Sequence, residues 1–128
     1  MKQGYVYIGE TIFDSLLALS SEEQSQGLMF CEPPVPVMSF VYPIPQINKF
    51  WMKNTKAELD IVFCYNNKIS QIYRGQPFST QIIGDDKESD LIIELPYGTI
   101  KSLGVNVNTC AGLISPTIAE LKKLFYKY

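Results

Sequence analysis

The sequence contains no histidine, and this absence removes several kinds of chemistry at once. Without an imidazole there is no Ser-His or Cys-His nucleophile pair and no histidine ligand for a metal ion. Any proton transfer would depend on carboxylates, lysine, tyrosine or cysteine. The composition therefore favours a protein that is not an enzyme, although it leaves carboxylate chemistry open.

Cysteine is scarce as well, and its spacing points away from metals and disulfides. Cys31, Cys64 and Cys110 are odd in number and contain no Cys-x-x-Cys pair. Such a set is typical of unpaired thiols in a reducing compartment. We expect Cys64 in the core and Cys31, in a proline-rich loop, to be the more exposed thiol, while a Cys31–Cys110 pair stays open. The sequence predicts no metal and no cofactor.

Long apolar runs and a strong charge of one sign are also missing. The stretch Ile12–Leu19 is too short to span a bilayer and contains Asp14, and Met1–Gly9 has no signal-peptide core. The net charge of −2 supplies no field that would hold a phosphate backbone. We therefore expect a cytoplasmic protein with no nucleic-acid or membrane partner, which binds a small molecule or another protein.

The residues that are abundant are those of a β protein. Seven Phe, eight Tyr and Trp51 favour strands, because aromatic side chains pack well on a pleated surface. Short apolar segments separated by turn signals predict a mainly β domain over residues 1–114, either an antiparallel sandwich or a partly closed barrel with short helices. Strands are predicted at Tyr5–Ile8, Thr11–Leu19, Met38–Tyr42, Lys49–Asn54, Leu59–Tyr65, Lys68–Arg74, Leu91–Leu95 and Asn108–Ile114, with a short helical segment between Pro96 and Gly104.

Turn and cap residues predict how some of these elements connect. Asn66-Asn67 tolerates positive φ and should close a tight hairpin, with a bulge near Gln71 in its second strand. A capping box at Ser20 and Glu23, or the equivalent pair one residue later, should begin a short helix. That helix should end at Gly27, which suits a left-handed terminal conformation.

Residues 115–128 have the pattern of an amphipathic helix. Ser115 is a suitable N-cap, and Pro116 suits the first helical position. Five apolar side chains then recur at helical spacing, namely Ile118, Leu121, Leu124, Phe125 and Tyr128. We predict a C-terminal helix that packs on the β domain. The alternative is that this helix forms an oligomer or partner contact.

Four segments in a fixed order carry a family pattern. They are Gly27-Leu28-Met29-Phe30, residues 50–55 (Phe-Trp-Met-Lys-Asn-Thr), residues 59–63 (Leu-Asp-Ile-Val-Phe), and residues 94–99 (Glu-Leu-Pro-Tyr-Gly-Thr) followed by Leu103-Gly104-Val105. Together they resemble the domain of unknown function 192 family, from about Phe13 to Ile114. The resemblance implies a compact jelly-roll-like β domain with one or two short helices. It implies no activity, because none is established for that family.

The chain departs from this family pattern at basic positions. The pattern usually has arginine where this chain has Gln24 and Cys31. Its Gly-Met-Leu-Phe block appears here as Val37-Met38-Ser39-Phe40. If those arginines hold an anion in relatives, we do not expect the same function here.

The segment around Trp51 carries the candidate binding site. In a strand, Trp51 and Lys53 would share one face, where the ring could stack a flat or sugar-like ligand and Lys53 could meet an anion. The loop that follows would bring Asn54 and Asp60 close to them. The predicted ligand-binding residues are therefore Trp51, Lys53, Asn54 and Asp60. The competing interpretation is that Trp51 covers a sheet while the neighbouring lysines extend to water.

Asp60 lies in an apolar segment and therefore needs a partner. In a structural role it would accept hydrogen bonds from the backbone of residues 54–58, or pair with Lys53. In a catalytic role it would act together with Glu94, as two carboxylates do in glycosidases.

Three functions follow from these alternatives. The first is a non-enzymatic small-ligand-binding or accessory β domain. The second is a structural or interaction protein of a larger assembly, for example a virion subunit; ten lysines against Arg74 alone suggest an AT-rich genome, which suits a phage. The third is a carboxylate-based hydrolase. A deep cleft with convergent polar groups would favour the first or the third over the second.

Overall fold

The computed structural model describes residues 1–114 of the chain. Its strands form one seven-stranded sheet in the order β5-β4-β6-β3-β2-β1-β7. Neighbouring strands are antiparallel except for β2 and β3, which are parallel. The elements are β1 (Lys2–Ile8), β2 (Thr11–Ala18), α1 (Ser21–Gln26), β3 (Met38–Ile47), β4 (Leu59–Tyr65), β5 (Lys68–Gly75), β6 (Glu88–Pro96), α2 (Thr99–Leu103) and β7 (Ala111–Ile114).

The sheet curls so that its two edge strands approach each other at one end. The amide of Ile69 in β5 donates to the carbonyl of Thr109 at 2.9 Å, and the amide of Ala111 in β7 donates to the carbonyl of Asn67 at 3.0 Å. The result is a half-barrel, and the prediction of a mainly β fold with short helices is confirmed. The jelly-roll and two-sheet sandwich arrangements are not confirmed, because all seven strands belong to one sheet. The predicted helix over residues 115–128 lies outside the described residues.

The predicted hairpin between β4 and β5 is confirmed. Asn66 and Asn67 form the two-residue turn with φ of 50° and 63°, which asparagine tolerates better than most residues. Phe63 pairs with Gln71 and Cys64 with Ile69, so one extra residue of β5, Ser70, bulges out of the ladder. The bulge allows Ile69 to be buried despite the poor alternation of β5.

The predicted strand over Lys49–Asn54 is wrong. This segment joins no strand of the sheet. Its backbone bonds to other segments are an isolated bridge from Phe50 to Ile83, a bond from the amide of Met52 to the carbonyl of Ser79, and a bond from the amide of Phe30 to the carbonyl of Asn54, the last two at 2.8 Å. The segment turns at Asn54, which has a φ of 57°. Its side chains still alternate, because Met52 is buried while Trp51 is exposed. Alternating polarity therefore identified the buried side of the segment without identifying its pairing.

Several other strand boundaries differ from the predictions, and β1, for example, begins at Lys2 and not at Tyr5. β3 continues past Tyr42 to Ile47, although Pro43 and Pro45 lie within it. Its pairing with β6 is interrupted between Val41 and Gln46, so the prolines fall where the ladder demands no amide donor. β6 begins at Glu88, three residues before the predicted start at Leu91. β7 begins only at Ala111, because Asn108 has a φ of 75° and is part of a turn.

Both short helices end at the predicted glycines and α1 begins with the predicted capping box, whereas α2 begins at Thr99 and not at Pro96, which belongs to β6. The Ser20 hydroxyl accepts from the Glu23 amide, and the Glu23 carboxylate accepts from the Ser20 amide, both at 3.1 Å. These backbone hydrogen bonds lower the pKa of Glu23. α1 ends at Gly27 with φ 51° and ψ −131°, and α2 ends at Gly104 with φ 68°.

The core has two parts because β4 is buried on both of its faces. Leu59, Ile61 and Phe63 pack into one cluster, together with Phe40 and Met52 among others. Val62 and Cys64 pack into a second cluster with Ile93, Leu95 and Ile100 of β6 and α2. Each residue of β4 and β6 is therefore assigned to one side of the sheet by its position along the strand.

A cleft around a buried glutamate

A cleft with a volume of about 370 Å³ opens on the side of the sheet that carries Phe40. α1 and its C-terminal Gly27 form one wall, and the end of β3 with the segment 48–51 forms the other. Glu94 of β6 lines the cleft between them. We call this feature the Glu94 cleft. Its volume is at the lower end of the range found for small-molecule pockets, about 300–1,000 Å³.

Glu94 is the most unusual group in the cleft. It is only 5% exposed, and no described residue forms a hydrogen bond or an ion pair with its carboxyl group. Since no fully enclosed polar atom among these residues lacks a partner, the carboxyl oxygens must reach the open space of the cleft. Burial raises the pKa of Glu94 to about 8, because the charged form is poorly solvated there. At neutral pH the carboxyl group is therefore mostly protonated.

Tyr42 lies beside Glu94 in the same cleft. Its pKa is raised to about 12, first by burial and then by the negative charge that Glu94 can carry. The phenol thus keeps its proton throughout the physiological range. It is a hydrogen-bond donor next to the carboxyl group and supplies no positive charge to it.

Aromatic rings form much of the apolar surface around the cleft. The rings of Phe40 and Phe50 meet edge to face with their centroids 5.0 Å apart, and Phe50 meets Phe63 in the same way at 5.7 Å. Trp51 is 44% exposed at the rim. The ammonium group of Lys53 lies 5.2 Å from the centroid of the Trp51 ring, so one face of this indole already attracts a cation.

Amide side chains hold the two walls in place. The Gln24 amide of α1 donates to the carbonyls of Ala18 in β2 and Val41 in β3, both at 3.1 Å. On the opposite wall, the Asn48 amide donates to the Ser89 hydroxyl at 2.8 Å and to the Ser89 carbonyl at 3.2 Å. These bonds fix the cleft before any ligand is present, which reduces the entropy lost on binding.

The four residues predicted as a ligand site are not brought together as one. Trp51 lines the Glu94 cleft, and Lys53 stacks beside it. Asn54 forms a turn in which its carbonyl accepts from the Phe30 amide at 2.8 Å. Asp60 faces the second core cluster, where its carboxylate accepts from the Ile100 amide of α2 at 2.9 Å.

Neither predicted partner of Asp60 is observed, because strand alternation directs its side chain to the other side of the sheet from Trp51. The same alternation separates the two acids proposed as a catalytic pair. In the ladder between β4 and β6, Asp60 is opposite Leu95 and Glu94 is opposite Ile61. Asp60 and Glu94 therefore project from opposite faces and cannot flank one bond of a substrate.

Sequence reasoning identified Glu94 only as a partner for Asp60. The signal for its actual environment was an acid inside the apolar run 91–95, which predicts a costly burial. No signal in the sequence placed Tyr42 and Gln24 beside it, since these residues meet only through the pairing of β3 with β6 and β2.

The three cysteines are unpaired. Cys64 is buried in the core as predicted, and burial followed by the charge of Asp90 raises its pKa to about 12. The more exposed thiol is Cys110 and not Cys31, because Cys31 packs against the Phe40 side of the core.

Residues 1–114 lack two further features. No group of three or more Cys, Asp or Glu side chains in residues 1–114 could hold a metal ion. Within the same range, no helix has the length and apolar character needed to cross a membrane.

Comparison with known proteins identifies the family. The model of the DUF192 family, described as "Uncharacterized ACR", matches residues 6–111. The chain belongs to the DUF192 family. No curated protein matches it.

Two solved structures share the fold at 26% sequence identity. A protein of unknown function from Novosphingobium aromaticivorans DSM 12444 superposes with a TM-score of 0.79, over 86% of this chain and 84% of that one. A protein from Sinorhizobium meliloti 1021, described as a "putative transcription regulator", superposes with a TM-score of 0.82, over 88% of this chain and 94% of that one. The half-barrel is thus shared by both of these proteins.

Proposed function

We propose that this DUF192 domain is a non-enzymatic protein that binds a small molecule in the Glu94 cleft. The observation that carries the proposal is the Glu94 carboxyl group, which is buried, faces open space and has no partner among the described residues. Because the carboxyl oxygens open into the cleft, a ligand seated there can form a direct hydrogen bond with them in place of water. The surrounding apolar and aromatic side chains then supply the rest of the contact surface.

The composition of the cleft argues against catalysis. Among its lining residues, Glu94 is the single carboxyl group and Tyr42 keeps its proton, so a base and an acid of matched pKa are not both present. The chain has no histidine that could replace either. Asp60, the other buried acid, faces the opposite side of the sheet.

The alternatives have less support. The name of the Sinorhizobium meliloti protein suggests nucleic-acid binding, but a net charge of −2 with Arg74 as the only arginine does not favour contact with phosphates. A role as a subunit of a larger assembly, such as a virion, depends chiefly on residues 115–128, which lie outside the described residues. That role stays a prediction.

The proposal is tested with a thermal-shift panel of primary and quaternary amines, sugars, carboxylic acids and nucleosides at millimolar concentration. Because Trp51 is the only tryptophan, its fluorescence reports on the rim of the cleft during the same titrations. We expect at least one class to raise Tm and to change the Trp51 emission. The response should be lost in Glu94→Gln and weakened in Trp51→Phe.

The matched control is Tyr65→Ala, which removes an aromatic side chain of similar exposure at the far end of β4. This variant should keep the full response. The proposal is wrong if no compound raises Tm, or if the response survives in Glu94→Gln.

A further inference from the structure

We infer that the ligand of the Glu94 cleft is an organic cation, an ammonium group on a small apolar body, whose charge lies between the Glu94 carboxylate and the aromatic rings. This inference rests on the proposed function and names the ligand class of the same site. Three properties of the cleft support it: an uncompensated acid, rings whose faces attract cations, and the assignment of nearby lysines to other partners.

The basic side chains described near Glu94 have other partners, so a cation of the ligand can pair with its carboxylate. Lys49 is the basic residue among those lining the cleft, and its ammonium group is 3.0 Å from the Asp86 carboxylate. Lys53 is held over the Trp51 ring. No basic side chain of the described residues pairs with Glu94. A ligand cation would form a charge-assisted hydrogen bond or ion pair in a site of low polarity, where such an interaction is strongest.

The aromatic rings favour the same class. A cation within about 6 Å of a ring face gains about 0.5–2 kcal/mol, and indole gives the largest gain. Lys53 already makes this contact with Trp51, at 5.2 Å. Tyr42, Phe50 and Trp51 line the same cleft as Glu94. Of the three ligand classes, only a cation gains Coulomb attraction by ionising Glu94, whereas an anion would keep the carboxyl group protonated and a neutral ligand would gain no such attraction.

Binding of a cation must expel a proton from Glu94. The titratable groups that face Glu94 are Tyr42 from β3 and, at the cleft wall, Lys49; α1 contributes only amides and hydroxyls, and β4 presents Ile61. Tyr42 stays protonated and Lys49 is paired, so the proton that leaves comes from the carboxyl group. The neutral acid and the ammonium ion give an ammonium–carboxylate pair and one proton, which the buffer takes up.

The test compares three molecules of nearly equal shape, choline, 3,3-dimethylbutan-1-ol and 3,3-dimethylbutanoate, by isothermal titration calorimetry with n-butylammonium as a second cation. We expect at least one of the two cations to bind. The alcohol and the carboxylate anion should not bind. Below the Glu94 pKa, the affinity should rise about tenfold for each pH unit, and it should level off above about pH 8. Buffers with different heats of protonation should show about one proton released per cation at pH 7.

Three variants distinguish binding in the cleft from binding elsewhere on the surface. Glu94→Gln should lose cation binding and its pH dependence, whereas Glu88→Gln, a matched change at the exposed start of β6, should keep both. Trp51→Ala should weaken binding severalfold and keep the pH dependence, because it removes a ring and leaves the acid in place.

The outcomes distinguish this inference from the proposed function. If the neutral alcohol binds as tightly as choline, or if neither cation binds while another class of the thermal-shift panel requires Glu94, the cation assignment is wrong and the binding function stands. If no compound of either set binds, both are wrong. Cation binding that persists in Glu94→Gln would also overturn the assignment.

Discussion

Replacing Glu94 by glutamine should stabilise the domain, and the gain should grow with pH. The carboxyl group titrates near 8 in the folded protein because it is buried, whereas glutamate otherwise titrates near 4.5. Between these pH values the unfolded chain has released the proton and the folded domain has kept it. The folded state then binds more protons than the unfolded state, so the free energy of unfolding falls as pH rises.

The size of the effect follows from the two pKa values. The free energy of unfolding should fall by about 1.4 kcal/mol for each pH unit across this interval. The contribution of Glu94 is fully present below about pH 4.5 and is lost by about pH 8, and the total loss is at most about 4–5 kcal/mol. A typical domain has a stability of about 5–15 kcal/mol, so a loss of this size is easily measured. Glutamine has no proton to release, so Glu94→Gln should abolish the part of the pH dependence of stability that Glu94 causes.

Urea unfolding of the wild-type protein and of Glu94→Gln, from about pH 4 to about pH 9, measures the difference directly. The two stabilities should be closest at the acidic end and should diverge until the pH passes the pKa of Glu94. The comparison uses the slope of the unfolding free energy against pH. A constant difference in stability between a neutral acid and an amide in the same site does not affect this slope. Glu88→Gln, at the exposed start of β6, should follow the wild-type curve. Parallel curves for Glu94→Gln and the wild type would refute the reasoning.

Three further changes test other parts of the structure. Asp60→Asn should lower the free energy of unfolding by about 1–3 kcal/mol in urea and accelerate hydrogen exchange of the Ile100 amide, because it weakens a buried charge-assisted bond of 2.9 Å. Iodoacetamide should label Cys110 in the native protein and Cys64 only after unfolding, as measured by mass spectrometry, because Cys64 is buried with a pKa raised to about 12. Gly27→Ala should cost about 1–3 kcal/mol in thermal or urea unfolding, because a φ of 51° with a ψ of −131° strains any residue with a Cβ atom.

Contrary outcomes and control variants sharpen these tests. If Asp60→Asn is as stable as wild type but loses the response to a small molecule, Asp60 belongs to a binding site and not to the start of α2. Asp86→Asn, on an exposed loop, should change stability by less than about 0.5 kcal/mol. Gly104 also has a positive φ but has no atoms within 4 Å of a built Cβ, so Gly104→Ala isolates backbone strain from contact with neighbours. Rapid native labelling of Cys64 would mean that β4 is not a stable central strand.

The parts of the fold that were predicted from sequence are those determined by neighbouring residues. The Asn66-Asn67 turn, the Ser20–Glu23 capping box and the bulge in β5 each depend on a few consecutive side chains. The strand predicted over residues 49–54 was wrong because the alternating polarity of this segment reflects the packing of Phe50 and Met52 on the core. The segment is not one of the seven strands of the sheet. Pairing partners across the sheet are a long-range property that local alternation does not contain.

The candidate site was only half predictable for the same reason. The exposed ring of Trp51 and the buried acids at 60 and 94 were identified from their residue types. Which of them share a side of the sheet depends on the position of each along β4 and β6. The two acids are one position apart along the ladder between β4 and β6, and neighbouring positions face opposite sides of the sheet. Asp60 therefore bonds to α2, while Glu94 lines the cleft.

The prolines of β3 link the sequence most directly to the site. Pro43 and Pro45 cannot donate to a neighbouring strand, and the pairing of β3 with β6 is interrupted between Val41 and Gln46. Tyr42, from this unpaired stretch, and Gln46, where the pairing resumes, both line the Glu94 cleft. Glu94 itself lies opposite Met38 in the regular part of the same ladder. The stretch that the prolines mark as irregular therefore supplies part of the cleft wall, while the regular pairing of β6 with β3 and β4 places the acid on that side of the sheet.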